Sequence, residues 1–203
     1  MSSNDKIKKF FDEASQTWDE NNCDFSGART IINTLKDYIK DKSVLDIGCG
    51  TGVLYPLLKE AAAKTITGID ISNKMIEVAK QKIPDANFIC QDIYTWCPEQ
   101  KYDVAIMYNV YPHFFDKNKL VEKLNNILTD DGVVIVAHGA SREKINSHHR
   151  AHALGVSKKL MKAWSGNVCK EIISAFVNHN IVYMLWLTKI ILQYFGAEKI
   201  NQK

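Results

Sequence analysis

The sequence predicts an α/β fold, a three-layer sandwich on a mainly parallel sheet, and three observations predict it. Short β-rich runs alternate with longer segments whose apolar residues recur at helical spacing. The runs are apolar almost throughout, as strands covered on both faces are. The first run leads into three alternating glycines, Gly48, Gly50 and Gly52, before helical spacing resumes, which is how a strand of such a sheet turns into its helix. The 203 residues are the size of one domain, because chains divide only beyond roughly 250 residues. No repeat, low-complexity tract or Pro/Gly/Ser-rich linker marks a boundary.

In chain order, residues 5–40 read as one or two amphipathic helices, with Ile7, Phe10, Phe11, Ala14 and Trp18 three or four apart. The expected strands are 43–47, 65–69, 87–90, 102–107 and 133–137. Between them, Ser72 caps a helix that runs to Lys82 and that Pro84 stops, and Asp116 caps one whose Leu120, Leu124, Ile127 and Leu128 share a face. Ser141 begins a helix to His152, a second runs from Val168 to Asn178, and residues 181–195 read as two strands or one helix, the strands favoured because Ile, Val, Tyr, Trp and Thr dominate them. The single unit therefore divides into an N-terminal helical cover (1–40), a ligand-binding core (41–138) and an acceptor-side C-terminal segment (139–203).

Composition excludes more than it names. With 46% hydrophobic and 24% charged residues the chain is neither disordered nor fibrous. A formal charge of +3 lacks the basic footprint of a nucleic-acid binder. Five cysteines in no CxxC pairing indicate neither a disulfide framework nor a zinc site and fit a reduced, cytoplasmic thiol population. The start, MSSNDKIKKFFDEA, lacks the apolar run of a signal peptide. The apolar stretch at 181–195 carries Lys189 and is too short to span a bilayer, so no membrane association is expected.

The stretch Val44-Leu-Asp-Ile-Gly-Cys-Gly-Thr-Gly52 carries the functional signal. Glycines there let the backbone turn tightly and approach a ligand, and N–H groups at the following helix start bind a polar one. A phosphate loop would end in Gly-Lys-Ser/Thr, and a dinucleotide loop would place glycine or alanine at Val53; neither is present. Eighteen residues past Gly52, Asp70 ends the second strand, where a carboxylate can accept both hydroxyls of a ribose or merely cap the next helix.

At these residues the sequence resembles the class I S-adenosylmethionine-dependent methyltransferases, whose first motif is an acidic residue followed by GxGxG. The resemblance covers roughly residues 40–138 and implies a Rossmann-like sandwich with a mainly parallel seven-stranded sheet. It places Asp46, Gly48, Cys49, Gly50 and Gly52 beside the methionine part of S-adenosylmethionine. It puts Asp70 and Ile71 at the ribose, and Gln91, Asp92 and Ile93 at the adenine. Tyr102 to Asn109 resembles the fourth motif, adding Asn109, and Trp18-Asp19 resembles the segment that folds across the cofactor in many of these enzymes. Cys49 is given no chemistry, and Trp18 is equally readable as a core anchor.

Methyl transfer from a sulfonium depends largely on alignment, so few catalytic side chains are obligatory. Ligands bind beyond the carboxyl ends of the strands, which puts Asn109-Val-Tyr-Pro-His-Phe-Phe115 at the mouth, with Tyr111 and His113 as catalytic candidates. His113 can serve as a general base or simply pack. His138, Arg142, His148, His149, Arg150 and His152 read as a cationic, acceptor-facing surface; His148 and His152 stand four apart, as two ligands can, but no metal is expected. The predicted function is methyl transfer to a small-molecule acceptor, with a non-catalytic S-adenosylmethionine-binding protein as the alternative.

Overall fold

The computed structural model describes residues 3–21, 25–138, 183–188 and 191–193. Its sheet has the strand order β3-β2-β1-β4-β5-β6-β7, with β1 at Ser43–Ile47, β2 at Thr65–Asp70, β3 at Asn87–Cys90, β4 at Tyr102–Tyr108 and β5 at Leu128–His138. Those five are parallel to their neighbours. At the far side β6 (Tyr183–Thr188) continues parallel to β5, and β7 (Ile191–Gln193) returns antiparallel to β6. The Rossmann-like, mainly parallel expectation holds, and residues 181–195 supply two strands.

The sheet is buried because both of its faces are apolar. On β1, Val44 faces the same way as Asp46, while Leu45 and Ile47 face the other way, and Val44, Leu45 and Ile47 are at most 1% exposed. One face is covered by α7 (Lys117–Ile127), whose Leu120, Val121, Leu124 and Ile127 meet Leu45, Ile47, Ala105 and Met107. Burying each of these four side chains contributes about 1.5–3 kcal/mol, an upper figure because the unfolded chain already shields part of them. The other face is covered by α3 (Ser26–Thr34) and α5 (Leu54–Glu60), through Ala28, Ile31, Ile32, Leu54, Leu57 and Leu58. Beside them α6 (Asn73–Lys82) packs Ile76 and Ala79 on Phe88.

Helix ends follow local chemistry. Ser72 caps α6 by accepting from Met75 N–H at 3.1 Å, and Asp116 caps α7 by accepting from Lys119 N–H at 2.9 Å. At the amino end of the sheet Asp103 accepts from the Ser43 N–H and hydroxyl at 2.8 and 2.7 Å, which pins β1 to β4. These bonds outweigh partial burial and hold the Asp103 carboxyl below its usual range.

Two expectations are corrected. Residues 5–40 form α1 (Ser3–Ala14), a 3-10 turn at Ser15–Thr17, α2 (Trp18–Asn21), α3 and α4 (Lys36–Ile39), not one or two helices. The Ser15 hydroxyl donates to the Asp12 carbonyl at 2.9 Å, and this polar run Ser15–Thr17 tightens the chain there. Leu128 belongs to β5, not to α7: it pairs with Tyr102, and the register then shifts before Val133 pairs with Val104. The helices expected at 141–152 and 168–178, with Arg142, His148, His149, Arg150 and His152, lie outside the described residues. No helix among the described residues is long and apolar enough to cross a membrane.

Candidate functional site

β1 has β2 on one side and β4 on the other, so the chain reverses its winding direction between β1 and β4. A crevice opens at the carboxyl ends of strands at such a switch, and it is lined by the loops after β1 and β4. The two loops touch here: a Cβ on Gly48 would overlap the Val110 side chain. Gly48, Gly50 and Gly52 all have positive φ, at 72°, 53° and 83°. Gly52 is also crowded by Phe88, whereas a Cβ at Gly50 would meet nothing within 4 Å. Gly50 is the glycine whose backbone faces open space.

The turn is held from β2. The Ile69 carbonyl accepts from the N–H groups of Gly48 and Cys49 at 2.8 and 3.1 Å. Asp70 accepts from Gly50 N–H at 3.0 Å through one oxygen and from Ser72 N–H at 2.8 Å through the other. Burial pushes its carboxyl up, against the pull of the Ser72, Gly50 and Ile71 N–H groups. Asp46 stands between Gly68 and Ile106 and is 3% exposed, and its carboxyl makes no hydrogen bond among the described residues. Burial, with the Asp70 charge nearby, pushes its carboxyl up to about 8. The Cys49 thiol points away from the crevice into the packing of Ile76, Ala79 and Phe88, and burial pushes its pKa up as well.

After β3, Gln91 is exposed and donates its N–H to the Asp70 carbonyl, while Ile93 is buried. Asp92 accepts from Tyr94 N–H at 3.0 Å and from Asn4 Nδ2 of α1 at 2.8 Å. Ile71 is half-buried, and its carbonyl lies 3.9 Å from the Cys90 sulfur. After β4, Asn109 adopts φ 58° with its N–H on the Ala137 carbonyl, and a 3-10 turn holds Tyr111–His113. Tyr111 is buried in the core beneath the loop with Lys117 over its ring at 5.2 Å. His113 is half-buried and meets Phe11 edge-on at 5.3 Å, and Phe11 meets Trp18 at 5.4 Å. The aromatic chain joins the N-terminal cover to the loop after β4.

The fold agrees with comparison to known proteins. A family model described as a methyltransferase domain matches residues 39–196. The chain belongs to this methyltransferase domain family. A malonyl-acyl-carrier protein O-methyltransferase of Priestia megaterium is 33% identical over 135 residues, which cover 64% of this chain and 49% of that protein. A ubiquinone/menaquinone biosynthesis C-methyltransferase of Campylobacter jejuni is 29% identical over 160 residues, covering 71% and 68%. This methyltransferase domain spans about half or less of the first malonyl-acyl-carrier protein relatives, 49, 37 and 40% of their lengths. The plantazolicin methyltransferase BpumL, solved with a pentazolic desmethylPZN analog and SAH, superposes with a TM-score of 0.62 at 22% identity, covering 83% of this chain and 70% of that one.

The sequence-predicted residues Asp46, Gly48, Gly50, Gly52, Asp70 and Asn109 lie at the carboxyl ends of β1, β2 and β4 or in the loops that follow, Asp92 follows β3, and Trp18 and His113 both pack on Phe11. Reading the sequence missed Asn4, Asp12, Thr51 and Lys82, which join the cover to the crevice. The signal available was the spacing of Asp12 and Asp19, seven residues or two helical turns apart.

Proposed function

We propose that this chain is an S-adenosylmethionine-dependent methyltransferase acting on a small-molecule acceptor, in a cytoplasmic setting that keeps Cys49, Cys90 and Cys97 free. The reading treats the cover, the core and residues 139–203 as one functional unit. The observation that carries it is Asp46, a buried carboxyl without a hydrogen-bond partner among the described residues, set beside the open Gly50 turn and the Asp70 carboxylate.

The residues fit that cofactor. A ligand ammonium is the partner that returns a raised, buried carboxyl to its ionised form, and the methionine part carries one. The Asp70 carboxylate accepts from the backbone N–H groups of Gly50 and Ser72 and is drawn on by that of Ile71, and its two oxygens offer about four acceptor sites in all, so it can accept from a ribose diol without displacing Gly50 or Ser72. Asp92, Gln91 and Ile93 stand where an adenine edge would be read, with Ile71, Asn109 and Trp18 closing the sides and the backbone of Cys49 lining the turn. Bound there, the cofactor supplies a methyl group on a sulfonium.

The chain's own work is alignment and water exclusion. His113, on the loop after β4, takes the proton of an acceptor that is not already ionised. Tyr111, locked in the core, fixes the 3-10 turn that aims His113. The relatives' names point to oxygen and carbon acceptors, so the deciding experiment incubates the full chain with methyl-labelled S-adenosylmethionine and a panel that begins with carboxylates and quinols. Labelled product with stoichiometric S-adenosylhomocysteine is expected. Calorimetric binding without any turnover would reduce the chain to a binding protein, and tight NAD binding with no response to S-adenosylhomocysteine would end the reading.

A further inference from the structure

The N-terminal cover grips α6 at both ends through residues that the proposed reaction does not use. At the start of the helix, Asp12 Oδ1 accepts from the Ser72 hydroxyl at 2.6 Å and from Lys74 N–H at 3.3 Å. At its last residue, Lys82 Nζ donates to Asp19 Oδ2 at 2.6 Å and to the Thr51 carbonyl at 3.0 Å. The Thr51 hydroxyl donates to the other Asp19 oxygen at 2.6 Å. Ten residues of α6 span about 15 Å, and the seven residues from Asp12 to Asp19 rise about 10–12 Å through α1, the 3-10 turn and α2, the long Lys82 side chain reaching back to Asp19. The charges also match the helix, an acid at the free N–H groups and a lysine beside the free carbonyls.

Both contacts end beside the cofactor crevice. Ser72 N–H and Gly50 N–H share Asp70, and Thr51 lies between Gly50 and Gly52. An isolated exposed ion pair contributes little. Here Asp19, Lys82 and Thr51 close a ring of three bonds around a Thr51 side chain that is 2% exposed, with a second anchor at the opposite end of the same helix.

We propose that Asp12 and the Asp19–Lys82 pair form a two-point latch that holds the N-terminal cover shut along α6 and sets how fast the cofactor leaves, an inference that rests on the methyltransferase reading above. Asp12, Asp19 and Lys82 are positioning residues. They keep Trp18 against Phe11 and Phe11 against His113 and stabilise the turn that presents Gly50.

The test uses the full chain, with S-adenosylhomocysteine release followed by stopped-flow chase and amide hydrogen exchange measured without ligand. Lys82→Met and Asp12→Asn should each release S-adenosylhomocysteine about three- to tenfold faster. Lys82→Arg, which keeps charge and reach, should stay near the parent, and Asp19→Asn should add little to Lys82→Met. Exchange should rise within residues 3–21 and stay parental in β1 and β4. Parental release rates in both Lys82→Met and Asp12→Asn overturn the proposal, as does exchange that rises uniformly through the sheet. If the parent takes up no S-adenosylhomocysteine, the methyltransferase reading fails and exchange alone decides the latch: faster exchange confined to 3–21 upholds it, and unchanged exchange overturns it.

Discussion

A buried carboxyl without a hydrogen-bond donor costs the fold free energy whenever it is ionised. Among the described residues Asp46 is such a group, and burial with the Asp70 charge nearby pushes its carboxyl up to about 8 from the ordinary 3.8. Between those values the folded chain holds a proton that the unfolded chain has lost, so this residue lowers stability as pH rises through the window and contributes no slope above it. Asp46→Asn removes the slope, and relative to the parent the variant should gain up to about 1.4 kcal/mol per pH unit in that window. Urea midpoints at pH 5 and pH 8 measure this, and equal shifts at both would mean that Asp46 is ionised and satisfied. The same variant should bind S-adenosylhomocysteine more weakly.

Gly50→Val tests the turn at the same scale. A Cβ there meets no described atom within 4 Å, so the variant should fold at a cost of at least about 1–2 kcal/mol for the left-handed backbone, yet lose cofactor binding. Normal binding by a folded variant would make the glycine a matter of chain reversal alone. For His113, substitution by Phe keeps the edge-on contact with Phe11 and removes the base. Turnover should fall by ~10² to 10⁴ and lose its pH limb near neutrality, with S-adenosylhomocysteine affinity unchanged. Parental turnover across pH 6 to 9 would leave His113 as a packing residue.

Among the elements, α6 does more than cross from β2 to β3. Its cap, Ser72, is fully buried; the hydroxyl accepts from Met75 N–H and donates to Asp12, while the N–H donates to Asp70. One residue thus connects helix stability, the cover and Asp70. Ser72→Ala should cost about 1–2 kcal/mol, more than an exposed cap, because Met75 N–H is left buried without its acceptor. A lower denaturation midpoint at unchanged m-value is the expected result, and combination with Asp12→Asn should fall short of the summed effects. Strict additivity would show that Asp12 and Ser72 do not act through each other.

At the scale of the whole molecule, binding to the folded chain alone must raise its stability by mass action. S-adenosylhomocysteine at a hundred times its dissociation constant should add about 2.7 kcal/mol, and Tm should rise by roughly 5–10 °C for a chain of this size. NAD should give no shift. An equal shift with NAD would mean that the crevice reads a diol and adenine without discriminating the methionine end.

The strands and the helix caps were legible because each depends on neighbours in the chain. Strands 43–47 and 87–90 match the structure end for end, and Ser72 and Asp116 cap as their types predict. The GxGxG turn was legible for the same reason, since positive φ is a local demand on residue type. The division of the N-terminal region into short helices was not, because a three-residue polar run decides it through side-chain bonds that helical periodicity does not register. Sequence alone therefore determined the order of elements, the glycine turn and the identity of the acids at the strand ends. Only the tertiary structure decided that Asp46 has no donor among the described residues, that Cys49 turns into the core, and that Asp12 and Asp19 reach across to Ser72, Thr51 and Lys82. Those partners are 32 to 63 residues apart in the chain, and no local propensity specifies a bond between groups that meet only when the cover packs along α6.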